Sequence, residues 1–237
     1  MCLLINQTTN APIGRDLLKN ADSSNPDGMG FAYAVNGEIF IKKFREFKPF
    51  YKSYKKAVKR HGKITDFILH FRFSTHGVNN GLFNVHPFKI NESLAFAHNG
   101  MLDVDDHKKK SDTQIFNETI LQKLKPNFLN NTAVCQLLEG FIGSDKLVFL
   151  NSDGKSTILN EKRGHWDGGT WFSNDSYKTR TTSIACGWGS DYYTGYSKPV
   201  TINSTCSACS KWDMVTQKRY HGQKVYLCET CKPYNNK

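Results

Sequence analysis

Six short apolar runs, rich in β-branched and aromatic residues and parted by turn signals or helical periodicity, set the frame for this chain. They lie at 2–5, 29–35, 39–41, 67–73, 94–97 and 147–150, short enough to be strands. Asn25-Pro26-Asp27-Gly28, Asn36-Gly37, Asn99-Gly100 and Asp153-Gly154 punctuate them, and Asn36-Gly37 between two runs predicts a tight hairpin. Helical spacing appears in Phe47, Phe50, Tyr51, Tyr54 and Val58. It recurs over 113–124, with Ser111 or Asp112 placed to cap the start, and over 134–141. Strands and helices mixed in this order predict a layered α+β body over 2–176. From 177 to 204 Gly, Ser, Thr and Tyr dominate without periodicity, which reads as a linker or irregular segment.

The 237 residues are 38% hydrophobic and 13% aromatic, a composition that folds and excludes a disordered chain. No apolar run approaches the roughly 18 residues that cross a bilayer, so no membrane role is expected. The opening Met1-Cys2-Leu3-Leu4-Ile5 lacks a basic flank and turns polar at Asn6, unlike a secretory signal, so a cytoplasmic location is expected. The net charge of +11 is uneven. Residues 42–63 hold ten Lys/Arg against one Glu, and 206–237 six against two, which leaves the rest at −2. Any polyanion partner, nucleic acid included, therefore belongs to these two patches. On the helix over 47–61 the interleaved aromatics fall on one face, which favours a core role for them and a solvated face for the lysines.

Removal of Met1, which the small Cys2 side chain permits, would leave a thiol and an α-amine on one residue. That amine, with an ordinary pKa of about 7.7–8.0, can take the thiol proton and return one to a departing amine. Four further segments carry chemistry: His70-Phe71-Arg72-Phe73-Ser74-Thr75-His76-Gly77, Asn84-Val85-His86-Pro87-Phe88, Ala97-His98-Asn99-Gly100 and Ser111-Asp112-Thr113. Arg72 suits a forked pair with a carboxylate, and Asp112 can accept from an ammonium. The Asn99 amide and the Gly100 N–H suit an oxyanion.

Together with the Asn25-Pro26-Asp27-Gly28-Met29-Gly30-Phe31 turn, these segments resemble class II glutamine amidotransferase domains over about residues 2–175. The resemblance implies an amino-terminal nucleophile hydrolase fold, a four-layer αββα sandwich. It implies that Cys2 forms a γ-glutamyl thioester with L-glutamine and releases ammonia. It further implies that Arg72 holds the substrate carboxylate and Asp112 its amine, that Thr75, His76 and His86 line or order the pocket, and that Asn99 and Gly100 form the oxyanion hole. The sugar-amidating branch has an arginine near the first turn where this chain has Asn25-Pro26-Asp27-Gly28. About 60 residues follow the body, so ammonia is expected to pass to a separate acceptor enzyme, with nucleobase or nucleic-acid modification as one setting. Stand-alone members of bacteriophage type are similar. Two other readings stay open: hydrolysis of another amide by the same thiol, and an inactive body that binds nucleic acid or protein.

Cys206-Ser207-Ala208-Cys209 and Cys228-Glu229-Thr230-Cys231 stand 18 residues apart, a spacing of four-cysteine zinc sites. One structural zinc in a zinc ribbon over 205–233 is expected, since a module of below ~40 residues rarely folds unaided. Such ribbons contact nucleic acid or protein, and nothing in the sequence chooses between them.

Overall fold

A computed structural model describes residues 2–73, 81–104 and 110–178 in full, and the backbone of 201–205, 212–220 and 223–228. The chain divides into two units, Met1–Thr182 and Ser183–Lys237.

The first unit holds two sheets. Strands β1 (Leu3–Gln7), β2 (Met29–Val35), β3 (Glu38–Phe44), β4 (Phe67–Phe71), β9 (His165–Asp167) and β10 (Thr170–Phe172) form one, in the order β3-β2-β4-β1-β10-β9. Strands β5 (Phe88–Asn91), β6 (Leu94–Asn99), β7 (Lys146–Asn151) and β8 (Ser156–Leu159) form the other, in chain order. Side chains alternate across a strand, and this sorts the core into three leaves. Leu3, Ile5, Phe31, Phe67, Leu69 and Phe71 pack beneath α1 (Arg15–Ser24) and α2 (Phe47–His61). Phe96, Leu147 and Phe149 pack beneath α3 (Asp112–Thr119) and α4 (Thr132–Ile142). Leu4, Ile68 and Val148 meet between the sheets, with Ala32, Ala34, Ala95 and Ala97 keeping that leaf thin. The layers therefore run α, β, β, α.

On α2, Phe47, Phe50, Tyr54 and Ala57 are buried while Lys48, Lys52, Lys55, Lys56 and Lys59 are exposed. The aromatics are core, each such side chain contributing about 1.5–3 kcal/mol. Asn36 and Gly37 both take positive φ, 53° and 81°, and close the β2–β3 hairpin.

Several elements differ from the sequence reading. Strand β1 continues through Asn6 and Gln7, both buried, because Gln7 accepts a hydrogen bond from the Tyr54 hydroxyl. The periodic stretch over 113–124 is not one helix: α3 ends at Thr119 and a 3₁₀ turn (Leu121–Lys123) follows. Ser111 is the cap, in a reciprocal box with Gln114. Helix α1 escapes a periodicity reading because only Leu18 and Ala21 are buried and Gly14 gives no side-chain cap.

The second unit contains an antiparallel sheet of β11 (Thr201–Thr205), β12 (Trp212–Tyr220) and β13 (Gln223–Cys228), in chain order. Cys228 closes β13 opposite Val215. Cys206, Cys209 and Cys231 lie outside the described residues. No helix among the described residues is long and apolar enough to cross a membrane.

Candidate active site

Antiparallel pairing brings the chemistry-bearing residues to one end of the sandwich. Leu3 pairs with Phe71, so Cys2 at the head of β1 meets Arg72 and Phe73 leaving β4. Asn99 pairs with Lys146, so Asn99 and Gly100 leaving β6 meet the entry to β7. Cys2, Phe73, Asn99, Gly100, Met101 and Asp145 share one cavity of about 580 Å³, within the range of about 300–1,000 Å³ for small-molecule sites.

Cys2 is partly buried. Its sulfur receives the Phe73 N–H at 3.3 Å, and its carbonyl receives the amides of Asn99 at 2.6 Å and Asn174 at 2.7 Å. Burial pushes the thiol above its ordinary 9.0, while the Phe73 N–H and, less strongly, the Arg72 charge oppose that rise. A thiol held protonated needs a base in order to attack.

Arg72 is buried, and its backbone is locked into the first turn: its N–H donates to Gly28 O at 2.8 Å and its carbonyl accepts from Asp27 N–H at 3.0 Å. Gly30 is demanded by a close approach, since a Cβ there would stand 2.2 Å from His86 O. Asn25 donates to Ser176 Oγ at 3.1 Å, Ser176 N–H donates to Asn174 Oδ1 at 3.0 Å, and Asn174 reaches Cys2 O. This relay connects the Asn25 turn to the backbone of the nucleophile.

His86 does not line the cavity. It is buried, packs against His70 with ring centroids 4.2 Å apart and meets the His98 N–H through Nδ1 at 3.2 Å. Asp112 spends its carboxylate on the Leu102 N–H at 2.8 Å and the Thr113 N–H at 2.7 Å, which fixes the segment after Gly100. Thr75 and His76 lie outside the described residues.

Asp145 was not legible in the sequence. Its Oδ2 meets His98 Nε2 at 3.0 Å, and His98 Nδ1 meets Thr113 Oγ1 at 2.9 Å. A Cβ on Gly100, whose φ is +151°, would lie 1.9 Å from the Asp145 carboxyl carbon. Asp145 thus holds the strand end that carries Asn99 and Gly100. Asn174 was equally hidden, 172 residues from its partner.

Burial, then the neighbouring His98 and Arg72 charges, push His70 down to about 3, and burial with the His70 charge takes His86 well below its ordinary 6.5. Both rings are neutral when folded and protonate near 6.5 when unfolded. The unfolded chain therefore binds more protons as pH falls from 6.5 toward 3, and stability is lost across that window. The melting temperature is expected to drop steadily below pH 6.5, more steeply than in a His70→Phe variant that still folds.

The family described as class II glutamine amidotransferases matches residues 13–140, and the chain belongs to it. That span includes Arg72, His86, Asn99, Gly100 and Asp112 and begins after Cys2. No curated protein matches. Among solved structures, the glutamine phosphoribosylpyrophosphate amidotransferase of B. subtilis, complexed with ADP and GMP, is 18% identical with a TM-score of 0.45. That likeness covers 73% of this chain and 41% of the other, so the chain spans well under half of that relative's length. A glutamine aminotransferase class-II domain protein from Silicibacter pomeroyi is 16% identical with a TM-score of 0.34, covering 64% of this chain and 73% of the other.

Proposed function

We propose that the chain hydrolyses the side-chain amide of L-glutamine through Cys2 and passes the ammonia to a separate acceptor enzyme. The observation that carries this reading is the shared cavity of Cys2, Asn99 and Gly100, with the Asn99 amide 2.6 Å from the Cys2 carbonyl. Once Met1 is removed, the Cys2 amine takes the thiol proton and sulfur bonds to the amide carbon. An Asn99 amide carries two N–H groups; one is used on Cys2 O, and the second, with the Gly100 N–H, receives the oxyanion. The C–N bond then breaks, the amine returns the proton, and ammonia leaves a γ-glutamyl thioester. Water, deprotonated by the same amine, resolves the thioester to glutamate.

Arg72 is assigned to the substrate carboxylate and Asp112 to its ammonium, with Thr75, His76 and His86 ordering the pocket. For Arg72, support comes from its burial and from its charge acting on the Cys2 sulfur. For Asp112, support comes from its hydrogen bond to the Leu102 N–H, next to the cavity-lining Met101, and from the further lone pairs that a carboxylate has for an ammonium.

Cys206, Cys209, Cys228 and Cys231 are proposed to hold one structural zinc, whose binding would stabilise the second unit. Support comes from the spacing and from the sheet: β11 ends one residue before Cys206, with Thr205 opposite Trp212, and Cys228 ends β13 opposite Val215, both within the first half of β12. The exposed lysines of α2 suit an acidic partner such as nucleic acid.

The test is covalent labelling of the full chain by a glutamine-like electrophile, read by peptide mass spectrometry. Label on Cys2, slowed about 10²-fold by Arg72→Ala, is expected from loss of the forked carboxylate pair. Label elsewhere, or a rate indifferent to Arg72→Ala, would defeat the reading.

A further inference from the structure

One wall of the Cys2 cavity is not used by the glutamine chemistry. Ser144, Lys146 and Arg163 line it together with Cys2, Asn99 and Gly100. The two cations come from separate segments, and Asn160 draws these together. Its side-chain amide donates to Gly143 O at 3.0 Å and Asp145 O at 2.7 Å, on the segment that delivers Ser144 and Lys146. Its own carbonyl accepts the Arg163 N–H at 2.9 Å, which closes the turn carrying the guanidinium. Glu139 accepts the Asn160 N–H at 2.8 Å and anchors the turn to α4. Asn160 sits in the left-handed region, φ 57°, to make these bonds.

Neither Lys146 nor Arg163 forms an ion pair among the described residues. Asp145, the other charged side chain on the cavity, is turned to His98. Burial lowers the Lys146 pKa, with Asp145 opposing and Arg163 adding to the fall, so the two cations act on one another. With the Asp145 carboxylate engaged by His98, two like charges on one wall leave a place for a multivalent anion. The cavity volume leaves room for such a group beside an amino acid.

We propose that Lys146, Arg163 and Ser144 form an anion subsite in the Cys2 cavity that takes the phosphate group of a phosphorylated small molecule while glutamine occupies the thiol side. That glutamine shares this cavity rests on the amidotransferase reading; the anion site itself does not. Lysine and arginine supply charge-assisted donors, and the serine hydroxyl a neutral one, to the three terminal oxygens of a phosphomonoester.

The probe is inorganic phosphate, titrated into the full chain and followed by calorimetry or phosphorus NMR. Saturable binding is expected, weakened about tenfold or more in Lys146→Gln/Arg163→Gln, since two charge-assisted donors are removed. It should be retained in Lys162→Gln, an exposed neighbour off the cavity. Circular dichroism checks that the double variant folds. Absence of saturable binding, or binding that survives the double substitution, overturns the subsite. Saturating phosphate is expected to leave the labelling rate of Cys2 by the glutamine-like electrophile unchanged. Competition between the two would assign the cations to the substrate carboxylate and also overturn it. If Cys2 is never labelled, the glutamine reading fails while the phosphate titration still decides this one.

Discussion

Cys2→Ala is expected to abolish glutamine hydrolysis, lowering kcat by about 10⁴–10⁶-fold, because loss of an acyl-transfer nucleophile leaves only binding and oxyanion stabilisation. Stability should change little. The side chain is partly exposed, and among the described residues its sulfur makes a 3.3 Å contact with the Phe73 N–H and a 3.5 Å contact with the Phe73 carbonyl. Purified protein with verified removal of Met1 should therefore melt within a few degrees of wild type while ammonia release falls to background. Ammonia release that persists in Cys2→Ala would remove this residue from the mechanism, and with it the case for a thioester.

Gly100→Ala should damage both activity and stability. The new methyl would meet the Asp145 carboxyl carbon at 1.9 Å, and φ +151° already lies where a side chain is strained. Backbone and carboxylate must part, at a cost of about 3 kcal/mol. The movement also displaces the Gly100 N–H and the neighbouring Asn99 amide, for which loss of one oxyanion donor alone costs about 10²–10³ in rate. Denaturant unfolding and steady-state ammonia release measure the two effects. A double-mutant cycle with Asp145→Ala separates them: removing the carboxylate should recover much of the stability and little of the activity, because His98 Nε2 then loses its partner. Additive losses in that cycle would mean that Gly100 is needed for reasons other than its contact with Asp145.

The relay from Asn25 bears on how the nucleophile is oriented. Where the sugar-amidating branch carries arginine, this chain reaches the Cys2 carbonyl through Ser176 and Asn174. Two amides on one carbonyl fix the Cys2 backbone from opposite sheets, Asn99 from the end of β6 and Asn174 from just beyond β10. Hydrogen bonding of that backbone to short neutral side chains needs no buried guanidinium there.

The amino-acid sequence by itself determined six of the short strands, though not β5 or β8–β10, as well as the β2–β3 turn, the aromatic face of α2 and the segments that carry Arg72, His86, Asn99 and Asp112. These depend on spacing and on local turn chemistry, which neighbouring residues settle among themselves. It also pointed to Cys2, through the chemistry of a thiol beside an amine. Only the tertiary structure decided that Ser111 rather than Asp112 caps α3, that β1 runs on through Asn6 and Gln7, and that Asp145 and Asn174 belong to the site. The cap is a local choice between adjacent candidates, settled by the Ser111–Gln114 box; the other cases share one reason. A polar side chain chooses between solvent and a buried partner, and the partners here, Tyr54 for Gln7, His98 for Asp145 and the Cys2 carbonyl for Asn174, lie 47, 47 and 172 residues away along the chain. Sequence pattern records what a residue prefers; the packing of two sheets determines what it meets.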